Sequence, residues 1–115
     1  MAVNNQIEEL LKPIGLPVAY RMFKPYKDKP VPNPPYIVYL IDNENAHGAD
    51  GKNFILKKHI TIEFYSNKKD TETESLIEAA LSAVEYEKYE DYIDTEKLFE
   101  VSYEFDIYEK IRRKQ

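Results

Sequence analysis

Apolar and polar positions along this chain alternate in two registers, one helical and one extended. Ile7, Leu10 and Leu11 fall at helical spacing behind Asn4 and Asn5, either of which can cap a first helix. Glu8 and Glu9 lie near its positive end, and Pro13 with Gly15 terminates it. Leu16–Phe23 (LPVAYRMF) reads as a first strand, and Tyr36–Ile41 (YIVYLI), apolar on both sides, as a central one. In Phe54–Tyr65 the alternation is clear: Phe54, Leu56, Ile60, Ile62 and Phe64 share one face, with Lys57, His59, Thr61 and Glu63 on the other.

Thr71 and Glu74 have the spacing of a capping box, backed by Asp70, and open a second helix whose stripe is Leu76, Ile77, Ala80, Leu81 and Val84. In Glu85–Ile93 the tyrosines at 86, 89 and 92 are spaced by three, which admits a helix. Their β-preference beside the final strand admits an edge strand, the preferred reading. Leu98–Ile107 alternates again, Phe99, Val101, Tyr103, Phe105 and Ile107 pointing opposite to Glu100, Ser102, Glu104 and Asp106.

Between these elements, residues 24–35 hold five of the seven prolines and predict a stiff, extended arm. Residues 42–53 (DNENAHGADGKN) carry turn-forming Asn, Asp and Gly and predict a long hairpin loop, with Asp50-Gly51 at a turn. Residues 109–115 predict a flexible basic tail. The expected fold is α+β: one domain over 1–115, a four- to five-stranded, mostly antiparallel sheet, and two helices packed on one face.

Composition adds little to this picture, but the distribution of charge adds more. The net charge of −5 divides into +3 over residues 1–69, −11 over 70–106 and +3 over 107–115. The acidic block argues against a general nucleic-acid binder, since a phosphate backbone rewards clustered Lys and Arg. It reads first as a solvated face, and more sharply as one half of an acidic–basic contact between subunits. No apolar run reaches the roughly 20 residues of a membrane span, and the first residues lack the pattern of a signal peptide. The chain has no Cys, which fits a cytoplasmic setting.

Candidate chemistry is sparse. Two histidines, three glycines and no Gly-x-Ser-x-Gly elbow leave neither a nucleophilic triad nor a phosphate-cradling loop to be written. Asp42, Glu44, His47 and Asp50 are competent metal ligands within nine residues, but they lack EF-hand spacing, and turn chemistry is the favoured reading. His59 reads as a surface histidine. The tyrosines at 86, 89, 92, 103 and 108 have acidic neighbours and suit core or interface rather than nucleobase stacking. No catalytic, cofactor or metal site is expected.

The segments LLKPIGLPVAY, PPYIVYL, a loop ending ADGKNF, and ITIEFYSNKKD followed by a helix and a Tyr/Glu-rich end run in order over most of residues 10–108. In this order and pattern the chain resembles the tail-terminator or tail-completion proteins of phages and prophages of Gram-positive bacteria. The resemblance implies a non-enzymatic α/β subunit that closes into a ring, a hexamer by expectation, at the head-proximal end of a tail tube. Its implied partners are copies of itself, the tail tube protein and the head–tail connector. DNA would pass through the lumen without specific binding, and no membrane is involved. The protein would reside in the bacterial cytoplasm during assembly and then in the virion tail. On this view Lys27, Lys29, Asn43, Glu44, Asn45, His47, Asp50 and Lys52 project as an interface, and Glu100, Glu104 and Asp106 face the lumen. A head-closure or neck protein and a host-directed adaptor module are the alternative readings.

Overall fold

The computed structural model describes residues 3–25, 30–48 and 53–112. Helix α1 spans Val3–Leu11 and continues as a short 3-10 turn, Lys12–Ile14. The helix therefore starts before Asn4 and Asn5, which lie inside its first turn rather than capping it. Its stop is the expected one. Pro13 sits in the 3-10 turn, and Gly15, at φ 82°, closes it by donating to the Lys12 carbonyl at 3.1 Å. A left-handed residue at that point suits glycine because it has no Cβ to clash.

Five strands follow: β1 Val18–Tyr20, β2 Tyr36–Gly48, β3 Asn53–Ser66, β4 Glu87–Ile93 and β5 Leu98–Arg112, with helix α2 at Thr71–Ala80 between β3 and β4. They form one sheet in the order β1-β2-β3-β5-β4. Three pairings are antiparallel, and β1 alone runs parallel to its neighbour, pairing Val18 with Ile37 and Tyr20 with Tyr39. The fold is thus α+β, and Glu87–Ile93 is an edge strand, as the β-preference of its tyrosines beside the final strand suggested and their spacing by three did not.

Both helices cover the same face. Val3, Ile7 and Leu11 of α1, and Ile77 with Leu81 at the end of α2, are buried against Ile37 and Tyr39 of β2, Ile60, Ile62 and Phe64 of β3, and Val101, Tyr103 and Phe105 of β5. Each fully buried side chain of this kind contributes about 1.5–3 kcal/mol. Tyr39 is buried to its ring and donates its hydroxyl to Glu8 at 2.5 Å, tying α1 to the sheet. Burial, then the Glu8 carboxylate, raises the Tyr39 pKa to about 12. Tyr103 does the same for α2, donating to Glu78 at 2.9 Å.

Several expectations change. The first strand shrinks from 16–23 to three residues, because Arg21 turns the chain at φ 70°. The cap of α2 is Asp70, whose side chain accepts from the Thr73 N–H at 3.0 Å. Glu74 is instead buried among lysines. Leu76 points outward at 53% exposure, leaving Ile77, Leu81 and the partly buried Val84 to carry the stripe.

The largest correction concerns the long loop at 42–53. Residues 42–48 belong to β2 and Asn53 to β3, paired from Asn43↔His59 to Gly48↔Phe54, with a register irregularity at Ile41/Asn43; 49–52, with the expected Asp50-Gly51 turn, lie outside the described residues. Cross-strand hydrogen bonding to β3 overrides the turn preference of Asp, Asn and Gly here. The basic tail is corrected over its first four residues: 109–112 are the end of β5, with Asn53 opposite Arg112, and 113–115 lie outside the described residues. The result is a three-stranded ribbon of β2, β3 and β5 that makes the molecule 51 Å long. No helix among the described residues is long and apolar enough to cross a membrane.

Candidate functional site

Opposite the helices, the sheet presents an open face whose side chains follow from the strand register. β3 contributes Lys57, His59, Thr61, Glu63 and Tyr65, and β5 supplies Asp106, Glu104, Ser102 and Glu100 across from the last four of these. β4 adds Glu87 opposite Glu104 and Asp91 opposite Glu100. These two cross-strand pairs set like charges against each other, an arrangement that weakens a sheet.

His59 sits at the middle of this face. Its Nδ1 lies 2.9 Å from Asp106 and its Nε2 3.0 Å from Glu104. The bond to Asp106 chiefly raises the His59 pKa, Glu104 adds to it, and partial burial opposes. With a carboxylate on each nitrogen the ring is best satisfied as the doubly protonated cation. Lys57 lies 3.8 Å from the same Asp106, and Thr61 donates to Asp42 at 3.0 Å. These side chains form a hydrogen-bonded network beside a polar pocket of about 330 Å³, and each of its carboxylates already has a partner within the chain.

A second feature lies toward the Tyr65 end. After β1 the chain returns across the open face, so that Phe23 meets Tyr36 edge-on at 5.3 Å and Tyr36 lies 5.3 Å from Tyr65. With Glu63, Ile93 and Glu96 they line a cleft of about 260 Å³. Glu63 accepts from the Tyr65 hydroxyl at 3.0 Å. Burial first, then Glu100 and Asp42, pushes its pKa up against that hydrogen bond, and among the described residues no Lys, Arg or His pairs with it. Arg21, also on the wall, is turned toward the Tyr20 ring and the Ile41 carbonyl.

The expected interface residues are placed as follows. Asn43, Glu44, Asn45 and His47 are exposed, but on strand β2 rather than on a loop. Glu44 faces the helix side, 3.5 Å from Lys58, which also meets Glu109 at 3.4 Å. Lys27, Lys29, Asp50 and Lys52 lie outside the described residues. Asp42, Glu44 and His47 do not converge as metal ligands: Asp42 and Glu44 turn to different partners, and His47 pairs with Ile55, far along the ribbon. Of the expected lumen set, Glu100, Glu104 and Asp106 do share the open face, but Glu104 and Asp106 are engaged by His59.

Sequence reasoning missed the bracketed His59 and the aromatic cleft. The signal for the first was the run of polar residues at 57, 59, 61 and 63 opposite Glu104 and Asp106. The second joins Phe23, Tyr36, Tyr65 and Glu96, which no local pattern connects. No family model matches this sequence, and no curated protein matches it.

Proposed function

We propose that this chain is a non-enzymatic structural subunit of a phage or prophage tail, which closes into a ring, caps the tail tube and joins it to the head connector. The observation that supports this reading is the ribbon. β1 covers the outer edge of β2 only to Tyr39, and β4 covers that of β5 only to Glu104. Beyond them, among the described residues, the two outer strands pair inward with β3 and have no strand on their outer sides. Long uncovered edges are what an isolated domain avoids and what a subunit uses to add strands from its neighbours. Heterologous contacts of this kind close into rings when the rotation allows. The order of segments from LLKPIGLPVAY to ITIEFYSNKKD adds the resemblance to tail terminators.

In such a ring the acidic open face, with Glu100 among its carboxylates, would let DNA pass without adhering. Assembly would take place in the host cytoplasm. A neck protein would use the same contacts at a neighbouring position. An adaptor would use one edge to capture a strand of a host protein.

Light scattering over a wide concentration range, with electron microscopy of the products, tests the assembly. A closed ring that limits the length of tubes grown from the tail tube protein is the expected result. A chain that stays monomeric at every concentration and leaves tube length unchanged overturns it.

A further inference from the structure

We propose that the aromatic cleft at Phe23, Tyr36 and Tyr65 receives the basic run Lys110–Lys114 of a second copy of this chain. The inference rests on the assembly reading above and names the contact that would join its subunits. Its first support is the chemistry of the cleft. Three aromatic rings and a half-buried carboxylate, Glu63, with Glu96 at the side, are the surroundings that favour a guanidinium or ammonium group.

The second support is the charge of the proposed occupant. Residues 110–114 (KIRRK) hold four cations in five positions, while residues 70–106 carry the acidic block. The third is distance. Tyr65 stands opposite Glu100 and Asn53 opposite Arg112, so the cleft and the basic run sit at opposite ends of the ribbon, twelve residues apart along β3. That separation is roughly 40 Å at the rise of a strand. Lys114 is two residues beyond Arg112, a reach of roughly 7 Å at most, so the run cannot enter the cleft of its own chain. The contact must be head-to-tail, each copy giving one basic run and receiving another.

The test uses a fluorescent peptide of residues 108–115 (YEKIRRKQ), titrated into the full chain by anisotropy while light scattering follows assembly of the chain separately. Saturable binding that weakens at least tenfold with Glu63→Gln plus Glu96→Gln, and again with added salt, is expected. A peptide with its Arg and Lys replaced by Gln should lose binding to the unaltered chain, an arm that needs no folded variant. Equal binding by a scrambled peptide, no binding at millimolar concentration, or indifference to the Glu substitutions each overturns the proposal. If rings form as well with residues 110–114 neutralised, the contact fails while the assembly reading stands. If the peptide binds as expected to a chain that never assembles, the cleft is supported and the assembly reading fails.

Discussion

Glu74 Oε1 lies 2.8 Å from Lys88 Nζ, joining α2 to the edge strand β4 through a carboxylate only 3% exposed. Lys69 approaches the other oxygen at 2.7 Å, a close contact but not an aligned hydrogen bond, so that oxygen is held by charge alone. Lys69 also reaches Glu90, and Lys88 also reaches Glu78 at 2.8 Å. The Glu74 and Glu78 hydrogen bonds push the Lys88 pKa well up. Lys88→Met removes the aligned partner of a buried charge and should cost about 1.5–3 kcal/mol in urea unfolding. Adding Glu74→Gln should return part of that loss, because the orphaned charge is then gone. A double variant less stable than the single one would count against this account.

The bracketed histidine gives a pH dependence of definite sign. A pKa raised above the ordinary 6.5 means that the folded form holds its proton more tightly than the unfolded chain. The stability it contributes is complete below pH 6.5 and is lost as pH rises through the raised value. Subtracting the melting temperatures of His59→Gln from those of the unaltered chain, pH by pH, should leave a difference that falls on the alkaline side. A flat difference between pH 5 and 9 rejects the arrangement with Asp106 and Glu104.

On the acid side the direction reverses. The Thr73 hydrogen bonds hold the Asp70 carboxyl below 3.8, and the Lys88 hydrogen bond holds Glu78 below 4.5. Their contribution is present above those ordinary values and disappears as pH falls through the lowered ones. Asp70→Ala should cost about 1 kcal/mol at neutral pH through loss of the helix cap. The gap between it and the unaltered protein should narrow in acid, read by circular dichroism melts.

Glu87 and Glu104 face each other across β4 and β5. Reversing one charge, Glu87→Lys, should stabilise the isolated protein by about 0.2–1 kcal/mol. Added salt should raise the melting temperature of the unaltered protein more than that of the variant, since screening acts on the repulsion that the substitution removes. The opposite salt response would place these two carboxylates apart.

Asn45 and His47 lie on the uncovered edge strand of the ribbon. Asn45→Lys with His47→Lys adds charge where a neighbouring strand would pair, a device natural sheets use against edge association. Monomer stability should change by less than about 0.5 kcal/mol, as for most exposed positions. Assembly measured by light scattering should fall sharply. Assembly at the original concentration would assign the contact to another surface.

The parts of the fold legible in the sequence are those where burial imposes a period. Ile60, Ile62 and Phe64, then Val101, Tyr103 and Phe105, are spaced by two because one face meets the helices, and both strands were readable for that reason. Beyond the helices that constraint ends. Residues 42–48 are hydrogen-bonded strand with little to bury, so their composition resembles a turn while their partner in β3 dictates extension. Glu74 read as part of a cap because its two lysines come from elsewhere, one just before α2 and one on β4. His59 read as a surface residue because Glu104 and Asp106 are more than forty positions away. The cleft needs the chain to recross the sheet after Arg21, and a single positive φ is invisible in composition.

The three-stranded ribbon also fixes how the molecule bears load. Its hydrogen bonds run across the strands, perpendicular to the 51 Å axis. A force drawing neighbouring strands in opposite directions along that axis would load every rung of the ladder in shear together, and none could yield before the rest. A force peeling β2 sideways from Gly48 would meet the rungs one at a time. The ribbon is therefore strong against sliding of its strands and weak against peeling, and a neighbour bound along the edge would shield its weak direction.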